Sequence, residues 1–129
     1  MVAAIDADDQ HHQRCAALFA SPTERRVVPA PVLVELDCLL ARELGADPFA
    51  AFLDTIARGE LDIEHLTPAD HARAAALMRT YKDLRVGFVD CAVFAIVERL
   101  GETKLATLDH RHFATMRPGH VDALELLPS

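Results

Sequence analysis

The segment from Phe88 to Val97, FVDCAVFAIV, constrains the fold of this chain more than any other stretch. Every residue in it except Asp90 is apolar, a pattern that predicts a helix buried on all sides rather than an amphipathic one. Burial of an unpaired carboxylate is costly and tends to force it to protonate. We therefore expect Asp90 to cap its helix, to pair with another group or to bind a metal ion.

The composition limits the classes of protein that remain. With 129 residues, 51% of them hydrophobic, the chain can build one ordinary core, and we expect a single domain over residues 1–129. No apolar run reaches membrane-spanning length, and the N-terminus lacks the pattern of a secretory signal. We expect a cytoplasmic protein without membrane contact. Its scattered cysteines, Cys15, Cys38 and Cys91, are predicted to be reduced, buried and structural.

The charge balance argues against nucleic-acid binding through overall charge. Thirteen basic and 20 acidic residues give a formal net charge of −7, so RNA or DNA would require a local basic strip or bound cations. Arg79, Lys82, Arg85 and Arg111 are the candidates for such a strip. A solvated surface is the commoner explanation for residues of this kind.

Helical and strand-like segments alternate along the chain. The strand-like segments are Arg26–Val28, Leu61–Leu66, Lys104–Leu108 and Val121–Leu127. Predicted helices run up to about Ala20, from Pro31 to Leu44, from Asp47 to about Arg58, from Thr67-Pro68 to about Tyr81, and through Asp90 to Gly101. This alternation predicts an α/β sandwich with a mainly parallel sheet.

Three carboxylates are the candidate functional residues, and each also has a structural explanation. Asp90 falls in the first turn of its helix, and Asp109 follows a strand, so either can act as a helix cap. Glu35 can be an exposed surface residue. All three, however, stand where a strand hands over to a helix or just beyond, and in a parallel sheet those positions share one edge. Three converging carboxylates repel one another unless a cation lies between them.

Three stretches, PAPVLVELDCLL, DLRVGFVDCAVFAIVERLG and ATLDHRHF, occur in an order and spacing that resemble the PIN-domain family, in particular the VapC-type toxins of bacterial toxin–antitoxin pairs. The resemblance implies a PIN-like three-layer sandwich, with a mainly parallel sheet flanked by helices. It also implies that Glu35, Asp90 and Asp109 are catalytic carboxylates that bind Mg²⁺ or Mn²⁺ in an endoribonuclease.

The same resemblance implies the partners of the chain. It predicts the toxin component of a type II toxin–antitoxin system, with RNA as substrate, a small DNA-binding antitoxin as partner, and self-association into a homo-oligomer. Two alternatives stay open. One is a catalytically impaired PIN-like module that binds an antitoxin, and the other is an RNA-processing PIN nuclease outside any toxin–antitoxin pair.

The chain departs from the family pattern at its beginning. Family members carry a first catalytic carboxylate at the end of an initial apolar strand, whereas Met1–Ile5 resembles the helix that follows that strand. We therefore expect the first strand and its Asp to lie upstream of Met1. Either the start of the sequence is placed too late, or the chain is truly truncated. Loss of a central strand exposes two sheet edges, a large penalty against typical domain stabilities of about 5–15 kcal/mol. That penalty favours the misplaced start.

Overall fold

The computed structural model describes residues 26–106, 115–120 and 125–127. The predictions for the helix ending near Ala20, for the first strand, and for Asp109 and Arg111 lie outside these residues. In chain order the described elements are β1 (Val27–Pro29), α1 (Ala30–Leu44), α2 (Asp47–Ala57), β2 (Asp62–Glu64), α3 (Pro68–Thr80), a 3₁₀ turn (Lys82–Leu84), α4 (Phe88–Leu100), β3 (Lys104–Ala106) and β4 (Glu125–Leu127).

The helix boundaries follow local sequence signals. Thr67 caps α3, because its hydroxyl accepts a hydrogen bond from the backbone N–H of Asp70 while the Asp70 carboxylate accepts one from the Thr67 N–H. This reciprocal capping box satisfies two backbone donors that the helix itself leaves open. A second signal ends α4. This helix stops at Gly101, whose φ of 67° lies in the left-handed region that favours glycine. Both predicted boundaries are confirmed.

The strands form parallel pairs. β1 pairs with β2, and β3 pairs with β4, as two separate two-stranded sheets within the described part of the chain. The register places Val28 opposite Ile63 and Leu105 opposite Leu126. Helices α1 and α2 provide the long crossover that a parallel pair requires between β1 and β2. The predicted parallel arrangement is therefore confirmed for these strands.

The core is built around α4. Its residues from Cys91 to Val97 are all buried, and Leu77 of α3 packs against them together with Met116. The predicted buried helix is thus confirmed except at its start, where Phe88 is 45% exposed. No helix in the described residues is long and apolar enough to span a membrane.

The prediction that Cys38 is buried is wrong. The buried positions of α1 are Leu36 and Leu40, and Cys38 lies midway between them in sequence. Two residues correspond to more than half a helical turn, so Cys38 points away from the core and is exposed. Cys91 is buried as predicted.

A network of ion pairs joins the end of α4 to the start of α3 and to β2. The Arg99 guanidinium donates to the Asp70 carboxylate through Nε at 3.0 Å, and its Nη1 lies 2.8 Å from Oε1 of Glu64. Its Nη2 also donates to the backbone carbonyl of His65. Burial raises the pKa of the Asp70 carboxyl, but hydrogen bonds from Arg99 and Thr67 outweigh it and hold that pKa below its ordinary value.

Candidate active site

Asp90 lies in the first turn of α4, as predicted, and is half-buried. The helix begins after Gly87, which has extended backbone and no side chain with which to cap the first turn. The positive end of the helix dipole therefore interacts favourably with the Asp90 carboxylate. Since the next seven residues are buried, the backbone that carries this carboxylate is fixed by the core.

The neighbouring thiol is unsuited to metal binding or nucleophilic attack. Burial raises the pKa of the Cys91 thiol, and the negative charge of Asp90 raises it further. A thiol must be deprotonated to act as a ligand or nucleophile. Carboxylate oxygens are therefore the candidate ligands at this end of α4.

Glu35 lies on α1, one position before the buried Leu36, and is exposed. Helices α1 and α4 are in contact, so the structure places Glu35 and Asp90 on neighbouring helices. The third predicted ligand, Asp109, lies outside the described residues. Among residues 26–106, 115–120 and 125–127 no group of three His, Cys, Asp or Glu side chains is close enough to hold a metal ion. The three-carboxylate site therefore stays a prediction.

The described basic candidates lie in the last turn of α3 and in the turn that connects α3 to α4. Arg79 is in the last turn of α3, Lys82 begins the 3₁₀ turn and Arg85 ends it, and all three side chains are exposed. Arg111, the fourth candidate, lies outside the described residues.

The structure adds Arg117, which the sequence-based prediction missed. Its backbone N–H donates a hydrogen bond of 2.9 Å to the hydroxyl of Tyr81, so Arg117 lies beside the turn that carries Lys82. Tyr81 and Arg117 are 36 positions apart in the chain, so no local sequence pattern could have predicted that they lie together.

Comparison with known proteins assigns the family. The family described as PIN domain matches residues 1–117, which is most of the chain. The chain therefore belongs to the PIN-domain family, as its three motifs indicated.

Two proteins from Mycobacterium tuberculosis are similar to this chain. The chain is 31% identical over 118 residues to the ribonuclease VapC26, covering 92% of this chain and 87% of that protein. The crystal structure of VapC20, a sarcin–ricin loop cleaving toxin, matches with a TM-score of 0.72 over 80% of this chain and 79% of that one, at 24% identity. The second likeness establishes a shared PIN-like α/β fold.

Proposed function

We propose that this chain is the toxin of a type II toxin–antitoxin system and acts as an endoribonuclease that depends on Mg²⁺ or Mn²⁺. The observation that carries the proposal is Asp90, a half-buried carboxylate at the start of a buried helix. It occurs in a PIN-family chain that is 31% identical to the ribonuclease VapC26.

The available donors suit a hard divalent cation. Glu35, Asp90 and Asp109 offer carboxylate oxygens, which Mg²⁺ and Mn²⁺ prefer, and the adjacent Cys91 is kept as a neutral thiol by burial. These three carboxylates would hold the ion. Bound there, it would lower the pKa of a water and neutralise charge on the scissile phosphodiester. No side-chain nucleophile is required, and the expected products carry 5′-phosphate and 3′-hydroxyl ends.

The role of each residue follows from its position. The backbone of Asp90 is held by the core through α4, and its carboxylate would be the central ligand. Glu35 is exposed on α1, the helix that contacts α4, and would supply the second carboxylate. The exposed basic residues before α4 are available for the RNA backbone, which an acidic chain can bind only locally.

The test is Asp90→Asn, which keeps the shape of the side chain and removes its charge. We expect Mn²⁺-dependent RNA cleavage to fall at least about 100-fold, since loss of even an outer-shell partner of a metal site typically costs 10–100-fold. Mn²⁺ binding, measured by calorimetry without RNA, should weaken in parallel. Asp54→Asn, at an exposed position on α2, is the matched control.

Full cleavage by Asp90→Asn would overturn the proposal. RNA binding without metal dependence or cleavage in the unmodified chain would instead support the impaired PIN-like module. Metal-dependent cleavage in a chain with no antitoxin partner would support an RNA-processing nuclease.

The partners proposed for this cytoplasmic toxin are a small DNA-binding antitoxin and a second copy of the chain. Apolar side chains on α1 and α2 support a protein interface: Val34 is 70% exposed, Leu44 48% and Leu53 44%. The mostly apolar α2 has no buried residue. Exposed apolar surface on adjacent elements is typical of protein–protein interfaces.

Co-expression with the product of any small gene adjacent to the gene of this chain tests this surface. Leu53→Glu should weaken the complex with the antitoxin or reduce the self-associated mass measured by light scattering. An unchanged complex and an unchanged mass would show that α2 is not the interface.

A further inference from the structure

Apart from Lys104, the exposed arginines and lysines in the described part of the chain divide into two groups. Arg42, Arg58, Arg73 and Arg99 each form an ion pair with an acidic side chain. Four others, Arg79, Lys82, Arg85 and Arg117, make no side-chain ion pair within the part of the chain that the structure describes. All four of these are exposed.

The four unpaired cations gather around one residue, Tyr81. Arg79 lies two positions before it, while Lys82 and Arg85 follow in the 3₁₀ turn that Tyr81 precedes. Arg117 is brought there by the hydrogen bond from its backbone N–H to the Tyr81 hydroxyl. Asp83 is the only acidic residue between positions 79 and 87, so the surface is locally basic.

The segment that carries Arg117 is firmly attached to the core. Met116 is buried in the cluster that contains Leu77 and Phe94, and Tyr81 packs against that cluster. Two residues beyond Arg117, the backbone N–H of Gly119 donates to the Glu98 carboxylate. Arg117 is therefore presented from a fixed backbone rather than from a free end.

Arg85 has a backbone conformation that glycine adopts with less strain. Its φ of 53° makes it the non-glycine residue with left-handed backbone among the described residues, a conformation disfavoured for side chains with a Cβ. Such outliers concentrate at functional sites, where the side chain has a role that offsets the strain. The same turn leads within five residues to Asp90.

We propose that Arg79, Lys82, Arg85 and Arg117 form a phosphate-binding strip that holds single-stranded RNA beside Asp90, and that Tyr81 is the positioning residue for Arg117. The proposal rests on the ribonuclease function proposed above and adds the residues that receive the RNA backbone. Exposed cations without ion pairs release counterions when they bind phosphates, and this release drives the binding of an acidic protein to a polyanion. Each of the paired arginines already has a carboxylate partner.

The salt dependence of RNA binding tests the strip. With the Asp90→Asn chain and a single-stranded RNA oligonucleotide, four phosphate contacts predict that log Kobs falls with log salt at a slope of about −3, since each contact on a single strand contributes about −0.7. Arg117→Ala should reduce the slope by about 0.7, which corresponds to about fourfold weaker binding near 0.15 M salt. Arg85→Gly should do the same while leaving the folded state equally or more stable.

Tyr81→Phe separates positioning from direct contact. It should weaken RNA binding less than Arg117→Ala does, and it should add nothing when combined with Arg117→Ala. Arg58→Ala is the matched control, because Arg58 is exposed but paired with Glu60.

The outcomes distinguish this proposal from the ribonuclease proposal. Cleavage by the unmodified chain with RNA binding and slope unchanged in Arg85→Gly and Arg117→Ala would overturn the strip alone. RNA binding that responds as predicted, in a chain that never cleaves, would overturn the ribonuclease proposal and keep the strip. Loss of antitoxin binding with RNA binding intact in the same variants would make this a protein-binding surface, which also overturns the strip.

Discussion

Replacement of Asp70 by alanine should lower the free energy of unfolding by about 2.5–3 kcal/mol. Asp70 is 3% exposed, and the change removes two interactions at once. The lost capping bond to the Thr67 N–H is worth about 1 kcal/mol. The lost hydrogen bond from Arg99 to a charged acceptor is worth about 1.5–2 kcal/mol. This is the lower part of the usual range for charged hydrogen bonds, because the Arg99 side chain is 29% exposed and therefore partly screened by solvent.

Urea unfolding followed by far-UV circular dichroism measures this loss. For a chain of this length the loss corresponds to a decrease in Tm of roughly 3–4 °C for each kcal/mol. Arg99 keeps its contact with Glu64 at 2.8 Å, so Arg99→Ala and the double variant should reveal a coupling of about 1 kcal/mol between Asp70 and Arg99. Glu43→Ala, which breaks an exposed pair of 3.9 Å, should cost less than about 0.5 kcal/mol. A loss below about 1 kcal/mol for Asp70→Ala would refute the view that the capping box and ion pair stabilise the fold.

Three further predictions concern pH, backbone conformation and thiol accessibility. Because the pKa of Asp70 is lowered in the folded state, its contribution to stability should be complete above the unfolded-state pKa of about 3.9 and lost as the pH falls through the lower folded-state value; the Asp70→Ala chain should lack this component in acid titrations of unfolding. Gly101→Ala should cost about 1 kcal/mol in urea unfolding from its φ of 67° alone, since nothing lies within 4 Å of the added Cβ. In a Cys15→Ser background, Cys38 should react with a thiol reagent in the folded protein, whereas Cys91 should react only as fast as the fold opens around it. Equal reaction rates would contradict the assigned exposures.

The sequence predicted those features of the fold that depend on neighbouring residues. Thr67 with Pro68 indicated the start of α3, and Gly101 indicated the end of α4, because capping depends on side chains within one turn. The apolar run after Asp90 indicated the buried helix, because a helix that is apolar on every face must be buried. The alternation of strands and helices predicted the parallel sheet. The positions of the three carboxylates raised the candidate ligands, and the family resemblance then implied their role.

The features that sequence did not predict depend on tertiary contacts. The pairing of Asp70 with Arg99 joins positions 29 apart, and the contact of Tyr81 with Arg117 joins positions 36 apart. Neither spacing has a period that a single sequence could reveal. The error at Cys38 has a different cause. Cysteine is usually buried as a residue type, but the exposure of Cys38 is set by its position on the helix relative to the buried Leu36 and Leu40.

The candidate ligand Asp90 is carried by α4, the helix with the most buried residues in the described part of the chain. Candidate catalytic groups often lie on loops that open independently of the core, but α4 carries the central buried segment and packs on α3. Its amides should therefore exchange with solvent only when most of the fold opens. Mutations that destabilise α4 should therefore displace Asp90 and lower the abundance of the chain in the cell together, because partly unfolded protein is degraded.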